Sequence, residues 1–187
     1  MTENRNYLQK YAMQFGAYLG IYYILKFFLF PMGLTVPFLQ LIFLVLTIAV
    51  PFLAYYYGRK YRNKVCGGSI NFMQAWMFMV FMYMFASLLA AVAHYIYFQF
   101  IDQGFLVNAY TGMIQDMKRM NLPGVTASLN QFEESLKIIG ALSPIELTMQ
   151  LISLNIFYGS LLAIPTALIL MKKKPGISNV QQTEDNH

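Results

Sequence analysis

The stretch that decides the fold is residues 72–101, FMQAWMFMVFMYMFASLLAAVAHYIYFQFI. It contains no Asp, Glu, Lys or Arg. About 20 mostly apolar residues are enough to cross a bilayer as an α-helix. Lipid offers no partners to open backbone groups, and the stretch lacks the alternating pattern of an outer-membrane strand. The sequence therefore predicts a membrane-spanning helix here.

Three further stretches have the same character, at residues 11–30, 37–57 and 145–171. Of the 187 residues 58% are apolar and 11% are charged, against about 25% charged in soluble domains. These values exclude a soluble globule and a disordered chain. We predict an all-α integral membrane protein with a single four-helix domain over residues 1–174. A polar tail at 175–187, expected to be disordered and cytoplasmic, follows it.

Lys and Arg set the expected orientation. With both termini on one side, nine of these residues fall on that side and three on the other. Positive residues mark the cytoplasmic side. We therefore expect a protein of the bacterial cytoplasmic membrane with both termini inside. The net charge of +5 needs no nucleic-acid partner, because no basic face with interleaved aromatic residues is present.

The segment between the third and fourth spans, residues 102–143, is expected outside. Apolar residues recur in it at helical spacing, in two sets, and this predicts an amphipathic helical hairpin. The hairpin would lie on the outer membrane face or cap the bundle; a plain solvated connector is the alternative. Ser143 and Glu146 form a capping box that starts the fourth span. The two sets are Val107, Tyr110, Ile114, Met117 and Met120, then Leu129, Phe132, Leu136 and Ile139.

Small residues recur at four-residue spacing in three spans, a pattern that lets membrane helices approach closely. They indicate packing within one bundle or a homodimer seam, the seam being expected on the first span. For any single stripe we favour packing. The residues are Ala12, Gly16, Gly20, Ala86, Ala90, Gly159, Ala163 and Ala167.

Polar side chains gather toward the outer half of the spans. They indicate a water-filled ligand-binding pocket open to the outside, or interfacial anchoring with interhelical hydrogen bonds, which we favour. Asp102 would be able to reach Lys26. The candidate ligand-binding residues are Lys26, Gln40, His94, Gln99, Asp102 and Gln150.

Motifs for catalysis and for cofactors are missing. The chain has one cysteine, Cys66, and two histidines, one of them the last residue. A metal site, a cofactor and catalytic residues are therefore not expected. A copper site on the methionines of the third span is disfavoured, since no second Met face, Cys or His pairs with them at the same depth.

Two motifs carry a resemblance: CGGSINFMQA at residues 66–75 and YIYFQFID at 95–102. They resemble the domain-of-unknown-function 4199 family of small bacterial inner-membrane proteins, although Gln103 stands where members commonly have proline. The resemblance implies a multi-pass membrane domain and no particular activity. In physical terms, Asn71 with Gln74 has the pattern of a capping box that opens the third span, and Asp102 can cap the helix that follows it.

Together these features predict a non-enzymatic membrane interaction or scaffold module, contacting the lipid bilayer and either a second copy or another membrane protein. A small transporter or binder of a small or lipid-like molecule, using the outer polar residues, is the alternative. A lipid-modifying enzyme is the third and least favoured possibility.

Overall fold

A computed structural model describes residues 2–120 and 124–172, and these residues form helices joined by short turns. Four of the helices are long and apolar enough to cross a membrane, which confirms the predicted fold class. The expected tail at 175–187 lies outside the described residues. The helices are α1 (Thr2–Thr35), α2 (Pro37–Lys64), α3 (Phe72–Ile96) with a π-helical turn (Tyr97–Ile101), α4 (Phe105–Arg119), α5 (Thr126–Gly140) and α6 (Pro144–Leu170).

The starts of the helices follow from local capping. Asn71 accepts a hydrogen bond of 2.8 Å from the backbone N–H of Gln74, which is one half of the predicted capping box, and so satisfies a free donor of α3. Ser143 and Glu146 form the predicted capping box at the start of α6, with Pro144 at the first helical position. Pro37 has the same place in α2. These caps place the ends of the spans at fixed residues.

The four long helices form one bundle around α3. Helix α3 packs along α1 on one side and along α6 on the other, while α2 closes the bundle by contacting α1 and α6. Phe78, Met79, Met82 and Tyr83 of α3 are fully buried. Helix α2 is the least enclosed of the four: only 11% of the residues in its apolar stretch are buried. The core is therefore built on α3, which provides the most enclosed of the four spans.

The bundle has a terminal end and a hairpin end. The terminal end holds the start of α1, the turn between α2 and α3, and the chain after α6. There Ile70 and Lys172 form an isolated bridge of two backbone hydrogen bonds, each 3.0 Å long. The hairpin end holds Asp102, Ser143 and the two shorter helices. Helix α1 extends beyond the predicted span at both ends. A helix that forms within the membrane can continue into the water on either side.

Candidate functional site

Two of the candidate ligand-binding residues, Lys26 of α1 and His94 of α3, lie on neighbouring helices, with Lys26 facing α2 and His94 facing α1. Lys26 is half-buried, and its ammonium lies 5.2 Å from the ring centroid of Tyr23 and 5.5 Å from that of Phe43. His94 is 5% exposed, and its ring centroid is 4.2 Å from that of Phe27. Cation–π contact therefore holds the lysine charge among aromatic rings. Nδ1 of His94 is buried without a hydrogen-bond partner.

Asp102 acts as a helix cap and forms no ion pair with Lys26. It is 9% exposed, and its carboxylate accepts hydrogen bonds from the N–H groups of Gly104 at 3.1 Å and Leu106 at 3.2 Å. This confirms its predicted capping of the following helix. The expected contact with Lys26 is not among the ion pairs of the described residues, and the Asp102 carboxylate faces the backbone donors at the start of α4.

The three glutamines do not join this pair. Gln40, Gln99 and Gln150 are all exposed on the bundle surface, on α2, the π-helical turn and α6. Oε1 of Gln40 lies beside Gly33 of α1, 2.5 Å from where a Cβ on that glycine would stand. Exposed polar side chains at the ends of spans are typical of interfacial anchors. The candidate residues thus separate into Lys26 and His94, each beside aromatic rings, a cap and three exposed glutamines.

The eight small residues all pack against other helices of the same bundle. A Cβ on Gly16 would lie 2.7 Å from Cβ of Phe85, and one on Gly20 would lie 2.9 Å from Cδ2 of Leu89. A Cβ on Gly159 would lie 2.7 Å from Cγ of Tyr83. The stripes of α1 and α6 therefore pack on opposite sides of α3, and a dimer seam on the first span has no free small-residue surface. The other five are buried and without exposed surface: Ala12, Ala86, Ala90, Ala163 and Ala167.

The hairpin formed by α4 and α5 carries an apolar face that the chain covers only in part. Near the bundle, Leu106 packs with Phe27 and Tyr97 in a small core. Farther along the same face of α4, Met120 is 68% exposed, and on α5 Phe132 is 64% exposed. No residue of α5 is buried. Helix α5 therefore contributes little to the core of the described chain.

One ion pair joins the two hairpin helices, and a second on the same carboxylate lies within α5. Lys118 of α4 pairs with Glu133 of α5, and Lys137 pairs with the same carboxylate at 3.5 Å. The two lysines hold the pKa of Glu133 below its usual range, through hydrogen bonding and charge. Val107 lies against Gly140 at the other end of the pair. Contacts at both ends of the pair thus join α4 and α5 as a helical hairpin.

A cavity of about 620 Å³ lies at the terminal end, and sequence reasoning did not find it. Polar groups of the turn between α2 and α3 line it together with Lys172. Its walls depend on the bridge between Ile70 and Lys172, residues that are far apart in sequence. The motif at 66–75 was the available signal, but by itself it indicated only a turn and a cap. The main polar lining residues are Cys66, Ser69, Asn71, Gln74 and Lys172.

The bundle and its surfaces define a class: a multi-pass helical membrane protein with four apolar spans. Residues 14–172 match the family model described as "Protein of unknown function (DUF4199)". The chain belongs to this family, which confirms the resemblance seen in its two motifs. No curated protein and no solved structure matches it.

Proposed function

We propose that this protein is a non-enzymatic interaction module of the bacterial cytoplasmic membrane, with both termini in the cytoplasm. In this proposal the four-helix bundle is an anchor, and the hairpin is a surface that rests in the outer leaflet. The observation that carries it is the apolar face of the hairpin, which the chain leaves largely uncovered although α4 and α5 are well-formed helices.

The apolar face of the hairpin continues outward from the end of α1. This continuity supports the proposal that the outer leaflet covers the face. Leu106 and Tyr110 of α4 lie against the end of α1, where Tyr110 and Phe30 have ring centroids 6.4 Å apart. Met113, Met117 and Met120 continue the same helical face beyond the bundle. Amphipathic helices of this kind bury their apolar face at the boundary of headgroups and acyl chains. The hairpin would then lie flat beside the bundle.

Two labelled variants test this arrangement in a Cys66→Ser background. A polarity-sensitive fluorophore on Phe132→Cys is expected to report an apolar environment in lipid vesicles and to be quenched by a lipid-borne quencher. The matched control is Glu134→Cys, on an exposed position of the same helix, where aqueous iodide should quench the probe. An aqueous signal at both positions would overturn the proposal. Shielding of the Phe132→Cys probe from both quenchers would also contradict it, since the hairpin would then cap the bundle.

A second copy of the chain is the partner that the bundle accommodates best, and α2 is where it would bind. The small-residue stripes are already occupied, whereas α2 presents a broad apolar face. Left-handed packing of membrane helices uses residues at alternating spacings of three and four. The open positions of α2 have that spacing and are 58–69% exposed: Phe38, Leu41, Val45, Ile48 and Phe52.

Crosslinking in native membranes tests the partner. In the Cys66→Ser background, Ile48→Cys is expected to give a dimer-sized adduct with a short bis-maleimide. Phe157→Cys on α6 is the matched control, because Phe157 is 59% exposed and Ile48 60%. It should give none. Absence of adduct at both positions, or equal adduct at both, would contradict self-association through α2.

A further inference from the structure

The cavity at the terminal end is a chamber assembled from three parts of the chain. Helix α2 ends at Lys64, and the turn that follows reaches Asn71 through Gly67 and Gly68, which have φ values of +62° and +83°. Only glycine adopts these left-handed conformations without strain. The bridge from Ile70 to Lys172 then joins the turn to the chain after α6. The walls are therefore held by backbone hydrogen bonds.

A second contact ties the same region together. The guanidinium nitrogen Nη1 of Arg62 donates a 3.0 Å hydrogen bond to the backbone carbonyl of Leu170. This carbonyl is one of the last of α6, where the helix dipole favours a cation. The end of α2 and the end of α6 are thus fixed relative to each other, and the chamber between them is preformed.

The charges that the described side chains carry at this end are positive. Among the side chains that the structure describes, every Asp and Glu lies at the hairpin end or in the hairpin. The three ion pairs in the described parts of the chain are there too. The terminal end carries basic side chains on α2 and at the exit of α6: Arg59, Lys60, Arg62, Lys64 and Lys172. A ligand that neutralises this end must be an anion.

The lining of the cavity matches a particular kind of anion. The ammonium of Lys172, the hydroxyl of Ser69 and the amide of Gln74 can all donate hydrogen bonds. Burial raises the pKa of the Cys66 thiol, so that group stays neutral beside the ligand. Leu8 and Ile70 supply an apolar wall. The volume lies within the range of about 300–1,000 Å³ typical of ligand pockets.

We propose that this cavity binds a phosphate-bearing anion, with Lys172 as its charged contact. Basic pockets at the ends of membrane helices on the cytoplasmic side are suited to anionic lipid headgroups. In the proposed orientation the cavity lies at such a place, where α2 and α6 leave their apolar spans, and its apolar wall fits the diacylglycerol side of a phospholipid phosphodiester. The same chemistry would hold a soluble phosphate ester, so the source of the phosphate is decided by experiment.

The test is a binding titration of the full-length protein in zwitterionic detergent, read by native mass spectrometry. The probes are short-chain phosphatidylglycerol, short-chain phosphatidylcholine, glycerol 3-phosphate and inorganic phosphate. We expect one saturable site for phosphatidylglycerol and none for phosphatidylcholine. Saturable binding of the two soluble phosphates, with no lipid binding, would also support a phosphate site and would identify its source as soluble.

Variants separate a built site from general attraction. Lys172→Gln should weaken saturable binding about ten-fold or more, because it removes a charge-assisted hydrogen bond. The matched control is Lys64→Gln, an exposed lysine of the same end that does not line the cavity; it should change the affinity by less than about two-fold. Equal losses in the two variants would overturn the proposal, since the binding would then be non-specific attraction to a positive surface.

Asn71→Asp keeps the test decisive if Lys172→Gln disturbs the bridge. Aspartate caps a helix as well as asparagine does, so the start of α3 is preserved. It places a negative charge in the cavity wall and should abolish binding of the anion while leaving thermal stability in detergent unchanged. Undiminished binding of phosphatidylglycerol and of both soluble phosphates by Asn71→Asp would refute the site. So would failure of all these probes to bind the unmodified protein saturably.

Discussion

Replacing Gly16 by alanine tests whether the small residues of α1 determine how closely the helices of the bundle approach. The added Cβ would lie 2.7 Å from Cβ of Phe85 and 2.8 Å from the carbonyl oxygen of Met82. Both atoms are on α3, and neither is the far end of a flexible side chain. The clash is therefore relieved only if α1 and α3 move apart, which loosens contacts along the whole pair.

The expected magnitude follows from two opposing effects. Overpacking a well-packed core costs about 1–3 kcal/mol. Alanine in place of a helical glycine raises the free energy of unfolding by about 0.5–1 kcal/mol. We therefore expect Gly16→Ala to lower the free energy of unfolding by about 1–2 kcal/mol.

The control is Gly112→Ala on α4. Nothing lies within 4 Å of a Cβ at Gly112, so only the propensity effect remains. This variant should be more stable by about 0.5–1 kcal/mol. Unfolding in mixed micelles with increasing dodecyl sulfate can be followed through Trp76, the single tryptophan. A Gly16→Ala protein as stable as the parent, with Gly112→Ala behaving as expected, would refute this account of the packing.

Three further outcomes concern the hairpin end. Ser143→Ala removes the capping box of α6 and should cost about 0.5–2 kcal/mol in the same titration. Asp102→Ala should speed amide hydrogen exchange at the start of α4 and leave α6 unchanged, since only α4 loses acceptors. The depressed pKa of Glu133 means that its stabilising effect is complete above its unfolded pKa of about 4.3 and is lost as pH falls through the lower folded value. Acid proteolysis of the hairpin should therefore rise below about pH 4, and Glu133→Gln should remove this pH dependence.

The spans were predictable from the sequence because the bilayer imposes a length and a composition on each helix. Residues 72–101 and the start at Pro37 agree with the structure, as do the caps at Asn71 and Ser143. These features depend on residues within about one helical turn. Local chemistry is therefore sufficient to place them.

The candidate site was harder to predict because it depends on which helix faces meet. His94 is buried against Phe27, while Gln99, only five residues later, is exposed. The π-helical turn from Tyr97 to Ile101 shifts the facing of the residues in this stretch. Similar depth in the membrane was read as proximity, but the arrangement of the bundle places the glutamines on separate surfaces.

The cavity at the terminal end was missed for a different reason. Its closure depends on the pairing of Ile70 with Lys172, two residues that belong to a turn and to the chain after the last helix. Neither residue carries a signal for such a bridge in its local sequence. A pairing across this distance in the chain follows only from the order of the four helices.

Side-specific labelling tests the central claim most directly: a chain that crosses the bilayer four times, with the terminal end inside and the hairpin outside. In a Cys66→Ser background, Asn63→Cys and Ser128→Cys place one exposed thiol at each end of the bundle. A membrane-impermeant maleimide applied to intact spheroplasts should modify Ser128→Cys at once and Asn63→Cys only after permeabilisation. Labelling of both positions in intact spheroplasts, or of Asn63→Cys alone, would contradict the account.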